Sequence, residues 1–283
     1  MRFKITHHTR YLYSNTVFLE PHYLRFKPQQ RGSLNLVHFG LNVNPEPAGI
    51  SHGIDAENNS VTQIWFSDET DFLNIGAVME VSVTKGYEPL SFILDPYKKL
   101  ETGKSVYGQS MLHFLEPYLQ SEVSIEIKSY VDTIFTENNG EIIAGLYAFA
   151  GQIYKEWKHH LVKEQSNPDA ENCFRKKSGS CRDLAWMSIA MLRSAGLAAR
   201  FVSGYTYNAE LTDGHELHAW VEVYLPGAGW VGIDPSAGLF VHENYIPVCA
   251  SFDPVNTMPV SGNYRGDADS NMEPTVEIEM FEE

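Results

Sequence analysis

The chain has 283 residues, 43% of them apolar, enough to bury a substantial core and more than one small domain comfortably holds. Asp and Glu outnumber Lys and Arg by 36 to 21, and the formal charge of −15 repels phosphate backbones and anionic lipid surfaces, so neither nucleic acid nor a membrane is an expected partner. Met1–Glu20 lacks the apolar stretch of a secretory leader, no run approaches the ~18 apolar residues that span a bilayer, and Cys173, Cys181 and Cys249 are too few for a disulfide framework, so a soluble, cytoplasmic protein with a free thiol is expected.

Phe3, Ile5, His7, Thr9, Tyr11 and Tyr13 recur with period two. The same alternation returns at Val37, Phe39, Leu41 and Val43 and at Met79, Val81 and Val83. The turn-rich segment from Asp55 to Ser60 leads into Val61–Phe66 and reads as a hairpin. Residues 1–105 therefore predict an antiparallel β domain, whose sheet edges offer a route to a homo-oligomer. From Glu122 to Phe135 the spacing of Val123, Ile127, Tyr130, Val131 and Ile134 becomes helical. A second, longer helix is predicted from Glu141 to Leu161 through Ile142, Leu146, Phe149, Ile153 and Trp157. This change of class sets a boundary between residues 100 and 120 and makes the whole an α+β protein, with a second domain over 106–265. After it, Asp267, Asp269, Glu273, Glu277, Glu279, Glu282 and Glu283 predict a solvated acidic tail over 266–283.

The chemistry-bearing stretch begins at Gly179-Ser180-Cys181-Arg182-Asp183, followed by the nearly all-apolar Leu184–Leu192, a buried helix that stops before Gly196. Ser180 with Asp183 three residues on has capping-box spacing, which makes Cys181 the first helical residue. The partial positive charge and unpaired N–H groups there favour a thiolate and would stabilise an oxyanion on a substrate carbonyl. A lone cysteine beginning a core helix is ordinarily just a small buried residue, so partners must carry the functional case. His218–Tyr224 and Trp230–Asp234 are strand-like runs joined by a loop from Leu225 to Gly229. Setting Tyr224 opposite Ala228 brings His218 opposite Asp234, with Cβ atoms about 5 Å apart, close enough for a carboxylate to hold an imidazole. Taken singly, His218 is a half-buried strand histidine and Asp234 a turn former before Pro235; paired, they are the base and orienting group that Cys181 requires.

Gly179-Ser180-Cys181, His218-Ala219-Trp220 and Asp234-Pro235, with Arg193–Tyr205 between them, resemble the motifs of the transglutaminase-like superfamily. His8-Thr9-x-Tyr11-x-Tyr13 and Leu24-Arg25-Phe26-x-Pro28 resemble the N-terminal domain of its bacterial members. The resemblance implies a papain-like core after the β domain and a catalytic triad of Cys181, His218 and Asp234 acting on a peptide or protein substrate. It further implies an acyl-enzyme passed to water, as in a protease or amidase, in preference to an amine, as in a transferase. The sequence departs from papain-like enzymes in having no glutamine just ahead of Cys181, so the Cys181 backbone N–H is one oxyanion donor and the second is open. No cofactor is implied, and no metal: there is no D-x-D-x-D-G loop, and His215-Glu216-Leu217-His218 is one residue short of the zinc helix motif. The pairs His7-His8 and His159-His160 read as solvated or packed. Tyr205, Trp220 and the loop Asn208–His215 are expected to line the cleft, and the competing reading is a peptide-binding protein without catalysis that uses Trp186, Tyr205, Trp220 and Trp230 as a groove.

Overall fold

The structure is a computed structural model that describes residues 1–84, 92, 99–101, 105–160, 168–209 and 217–281. Six strands open the chain: β1 (Arg2–Leu19), β2 (His22–Leu24), β3 (Leu34–Asn44), β4 (Gly49–Ile54), β5 (Ser60–Trp65) and β6 (Glu69–Val83). The helical part follows with α1 (Gln109–Leu115), α2 (Ile125–Glu137), α3 (Ile142–Glu156), β7 (Lys158–His159), α4 (Ala170–Lys176), β8 (Ser178–Gly179) and α5 (Cys181–Ser194). Then come β9 (Ala199–Thr206), β10 (Leu217–Leu225), β11 (Gly229–Asp234), β12 (Leu239–Phe240) and β13 (Tyr245–Ser251), and finally β14 (Val260–Ser261), β15 (Tyr264–Arg265) and β16 (Ser270–Phe281). The protein is α+β, as the change of periodicity predicts.

The N-terminal part is built from two antiparallel sheets. In one, β1 pairs with β6, β6 with β3, and the other edge of β1 takes β15 and β16; in the other the order is β14-β2-β5-β4. The alternating residues predicted for β1 do face inward: Phe3, Ile5, His7, Thr9 and Tyr13 are buried. In β3 the alternation breaks at Val37, which is exposed because a bulge between Leu36 and His38 shifts the register against β6. Phe39, Leu41 and Val43 resume packing on the core.

The acidic tail is a correction to the sequence expectation. Residues 270–281 form β16, laddered against β1 from Arg2↔Phe281 to Tyr13↔Ser270. Glu273, Glu277 and Glu279 are exposed, while Val276 and Ile278 between them are buried. The charges that suggested a solvated extension are the outer face of a strand with period two.

In the second part, a five-stranded sheet of order β12-β11-β10-β9-β13 carries α5 against one face. Ala219, Val221, Val223 and Leu225 of β10 share a core with Leu184, Met187 and Met191 of α5 and with α2 and α3. By alternation His218, Trp220 and Glu222 lie on the opposite face. Tyr205 of β9 and Ile246, Val248 and Cys249 of β13 join the core of the N-terminal sheets, so the two parts share buried side chains.

Candidate active site

Ser180 is the N-cap of α5, its hydroxyl accepting from the Asp183 N–H, while the Ser180 N–H and hydroxyl donate to Asp183 Oδ2 at 2.9 and 2.7 Å. This is the capping box expected from the sequence, and it puts Cys181 at the first helical position. The glycine of the Gly-x-Cys motif also has a physical account. A Cβ on Gly179 would stand 2.7 Å from Asp183 Cβ and 3.1 Å from Cys173 Sγ, so a side chain there would push the capping box apart.

The turn of the β10–β11 hairpin lies one residue further along the chain than predicted. Leu225 pairs with Gly229 and Tyr224 with Trp230, two residues out of the expected register, because Gly227 and Gly229 adopt positive φ and let the turn close over Pro226–Ala228. A slip of two keeps every side chain on its face. Continuing that register sets Asp234 opposite Trp220, and His218 reaches it diagonally: His218 Nε2 donates to Asp234 Oδ2 at 2.7 Å. With Nε2 held there, Nδ1 is the nitrogen left for the thiol.

Asp234 is only 1% exposed, yet its oxygens are saturated. Besides His218, Tyr245 Oη donates to Oδ2 at 2.8 Å, and the Ser236 N–H and hydroxyl donate to Oδ1 at 2.8 and 2.7 Å. Burial alone would raise its pKa, but these donors and the His218 charge hold it below the usual carboxylate value. Burial likewise disfavours charge on His218, and Asp234 together with the Cys181 sulfur outweighs it, lifting the imidazole to about 10. Burial pushes the Cys181 thiol up; hydrogen bonds from His159 and His218, the His218 charge and the Ala219 N–H pull it further the other way, to about 6. The site thus favours a thiolate–imidazolium pair.

The three residues picked out as a triad are therefore together. Other expectations fail. Tyr205 and Trp220, expected to line the cleft, are both fully buried. Tyr205 Oη meets His7 Nδ1 at 2.8 Å between the two parts of the molecule, and Trp220 packs on Tyr245 with ring centroids 5.3 Å apart. The alternating pattern that put both on strands gave no indication of which strand faces are covered. Residues 210–216 of the expected cleft loop, with His215, lie outside the described residues. His159, read as solvated or packed, is exposed, and it is also one of the groups that lower the Cys181 thiol. Neither His159 nor Tyr245 belongs to a motif, and each comes from a strand whose pairing brings it to the site: β7 beside Gly179, and β13 on the far side of β9 from β10.

A thiol at a helix start, an imidazole on a neighbouring strand and a buried carboxylate behind it, in a papain-like α+β core, define the class of cysteine enzymes. Comparison with known proteins gives the family. The model of the transglutaminase-like superfamily matches residues 128–235, and that of the bacterial transglutaminase-like N-terminal region matches residues 3–82, so the chain belongs to the transglutaminase-like superfamily. An uncharacterized protein of Mycobacterium tuberculosis is 25% identical over 302 residues, covering 99% of this chain and 93% of its own length. A protein-glutamine gamma-glutamyltransferase of Pseudomonas aeruginosa is 37% identical over 70 residues, 22% of this chain and 10% of that protein. Among solved structures, a candidate cysteine protease from Cytophaga hutchinsonii matches with a TM-score of 0.74 at 18% identity, over 100% of this chain and 92% of that one.

Proposed function

We propose that the protein is an acyl-transfer enzyme that opens peptide or carboxamide bonds through a Cys181 acyl-enzyme and passes the acyl group to water. The observation that carries this is the His218–Asp234 hydrogen bond of 2.7 Å with the Cys181 thiol on the other side of the imidazole. Cys181 is the nucleophile: its sulfur bonds the carbonyl carbon as the carbonyl electron pair moves to oxygen. His218 holds the proton taken from the thiol and gives it to the departing amine, then takes one from the water that releases the acyl group. Asp234 keeps the imidazole aimed and its charge compensated.

The capping box uses the N–H groups of Ser180 and Asp183, which leaves the Cys181 N–H at the helix start for the developing oxyanion. The test is incubation of the wild type and Cys181→Ala with a casein digest, with and without a primary amine, followed by mass spectrometry. New peptide termini or deamidated glutamines that depend on Cys181 are expected, with little amine incorporated. Amine incorporation exceeding hydrolysis would reassign the enzyme to transfer, and products equal in both proteins would leave a binding protein.

A further inference from the structure

The Cys181 sulfur has a second imidazole beside it that the triad does not employ. β7 and β8 form a two-residue parallel ladder, Lys158↔Ser178 and His159↔Gly179. It is held by Lys158 N–H donating to Lys177 O at 2.9 Å and His160 N–H donating to Gly179 O at 3.1 Å. The ladder fixes His159 alongside the chain just ahead of the nucleophile, and its imidazole is among the groups that lower the Cys181 thiol. The two imidazoles differ in surroundings. His218 is mostly enclosed and bonded to a buried carboxylate, whereas His159 is exposed on the solvent side and has no carboxylate partner among the described residues. Only His218 is built as a base.

We propose that His159 is the second oxyanion donor, its ring N–H converging with the Cys181 backbone N–H on the substrate carbonyl oxygen. This rests on the reading of Cys181 as an acyl-forming nucleophile. When the thiolate attacks, a C–S bond forms and the carbonyl π pair moves onto oxygen. The oxyanion and the sulfur are then bonded to one carbon, so a ring N–H held beside the sulfur is also within range of the oxygen. The adduct collapses by re-forming the carbonyl and expelling the leaving group, and the oxyanion's demand on His159 ends with it. The position fills the gap left by the missing glutamine ahead of Cys181. A histidine can fill it from 22 positions earlier in the sequence, Cys181 less His159, because the parallel ladder brings β7 to the Gly179 side of the helix start.

The test separates two reactions of the same sulfur. Acetylation by p-nitrophenyl acetate passes through an oxyanion; alkylation by iodoacetamide displaces iodide at a saturated carbon and does not. Both are followed on Cys181 by mass spectrometry in the wild type, His159→Phe and His159→Gln, above the pH at which the thiol is ionised in each. The expected result is that His159→Phe acetylates about 10²- to 10³-fold more slowly, that its plateau alkylation does not fall, and that His159→Gln, which restores an N–H donor, recovers most of the loss. Acetylation and alkylation changing in equal proportion, or neither changing, would overturn the oxyanion role and leave the acyl-transfer reading standing. Wild-type Cys181 that alkylates but never acetylates would overturn that reading and the role of His159 with it.

Discussion

Replacing His218 with alanine tests the thiolate most directly. Burial and the partners of Cys181 set its pKa near 6 instead of the ordinary 9, and three such units amount to about 4 kcal/mol of preference for the thiolate. At pH 7 such a thiol is about 90% ionised, against about 1% for an ordinary one. The rate advantage is far smaller than that ratio, because a thiolate of lower pKa is also a weaker nucleophile. With a Brønsted slope of about 0.45, three units take back roughly 20-fold, leaving a few-fold gain at pH 7. The midpoint of the pH profile, not the rate at one pH, therefore carries the information. Iodoacetamide labelling mapped by mass spectrometry should give Cys181 an apparent midpoint near 6. Cys173 and Cys249 should stay unlabelled well above that, since burial lifts each to about 12. In His218→Ala the hydrogen bond and the positive charge of the imidazole are gone while the burial remains, so the midpoint should move up towards the ordinary value, with only His159 and the Ala219 N–H left to oppose the burial. A wild-type midpoint near 9, or one that His218→Ala leaves in place, would refute the ion pair. For turnover the same pair predicts a bell-shaped profile, rising with the thiolate near 6 and falling as His218 loses its proton near 10, both being apparent values of the coupled pair.

Asp234→Asn should preserve the fold and lower turnover by about 10²- to 10⁴-fold, because an amide cannot accept from Tyr245 and compensate an imidazolium at once; unchanged steady-state kinetics would remove Asp234 from the machinery. Ile278→Ala should cost about 2–5 kcal/mol in urea unfolding, since Ile278 is 6% exposed, whereas a solvated tail would give no change in midpoint. Glu222, 1% exposed between Arg31 and Arg200, is raised by burial but lowered further by the two guanidinium groups, from 4.5 to about 2. Its stabilisation is thus complete above about 4.5 and lost as pH falls towards 2, so the melting-temperature advantage of the wild type over Glu222→Gln should shrink over that interval. An advantage constant across that range would show that the charge on Glu222 is not what holds the pair.

Much of the fold was legible wherever one local rule decided it. The capping residues placed the start of α5 to the residue, the apolar run marked its body, and the alternation in β1 named its buried face correctly. The failures fall where two rules compete. In β16 a run of glutamates outweighed the alternation of Val276 and Ile278 beneath it, and net charge is a poor guide to a strand with one wet face. In the hairpin the face survived and the register did not, because the backbone freedom of Gly227 and Gly229 selects the turn and is invisible to a period-two pattern. Tyr205 and Trp220 were placed on the right strands and assigned to the wrong neighbours, since a strand's pattern says which residues are inward and not which partner covers them.

That last distinction gives the N-terminal domain a physical role in the site. Asn59, fully buried, donates through Nδ2 to Ala250 O at 2.9 Å and accepts from Ala250 N at 2.8 Å, so the N-terminal hairpin turn pairs with the backbone of β13 as a neighbouring strand would. Asn59 is itself fixed by Asp55 Oδ2 at 3.0 Å and by Gln29 Nε2 at 2.7 Å. β13 carries Tyr245, whose hydroxyl holds Asp234, which in turn holds His218. His7 and Tyr205 close the same seam, and burial keeps His7 neutral by lowering it to about 4. The Asn59–Ala250 and His7–Tyr205 bonds cross between the two parts, and these buried groups would be left unsatisfied if the parts separated, freeing the strand that carries Tyr245. The orientation of the imidazole beside Cys181 is therefore tied to the docking of the β domain, and the catalytic core is not expected to keep its Asp234 contacts if that domain is cut away.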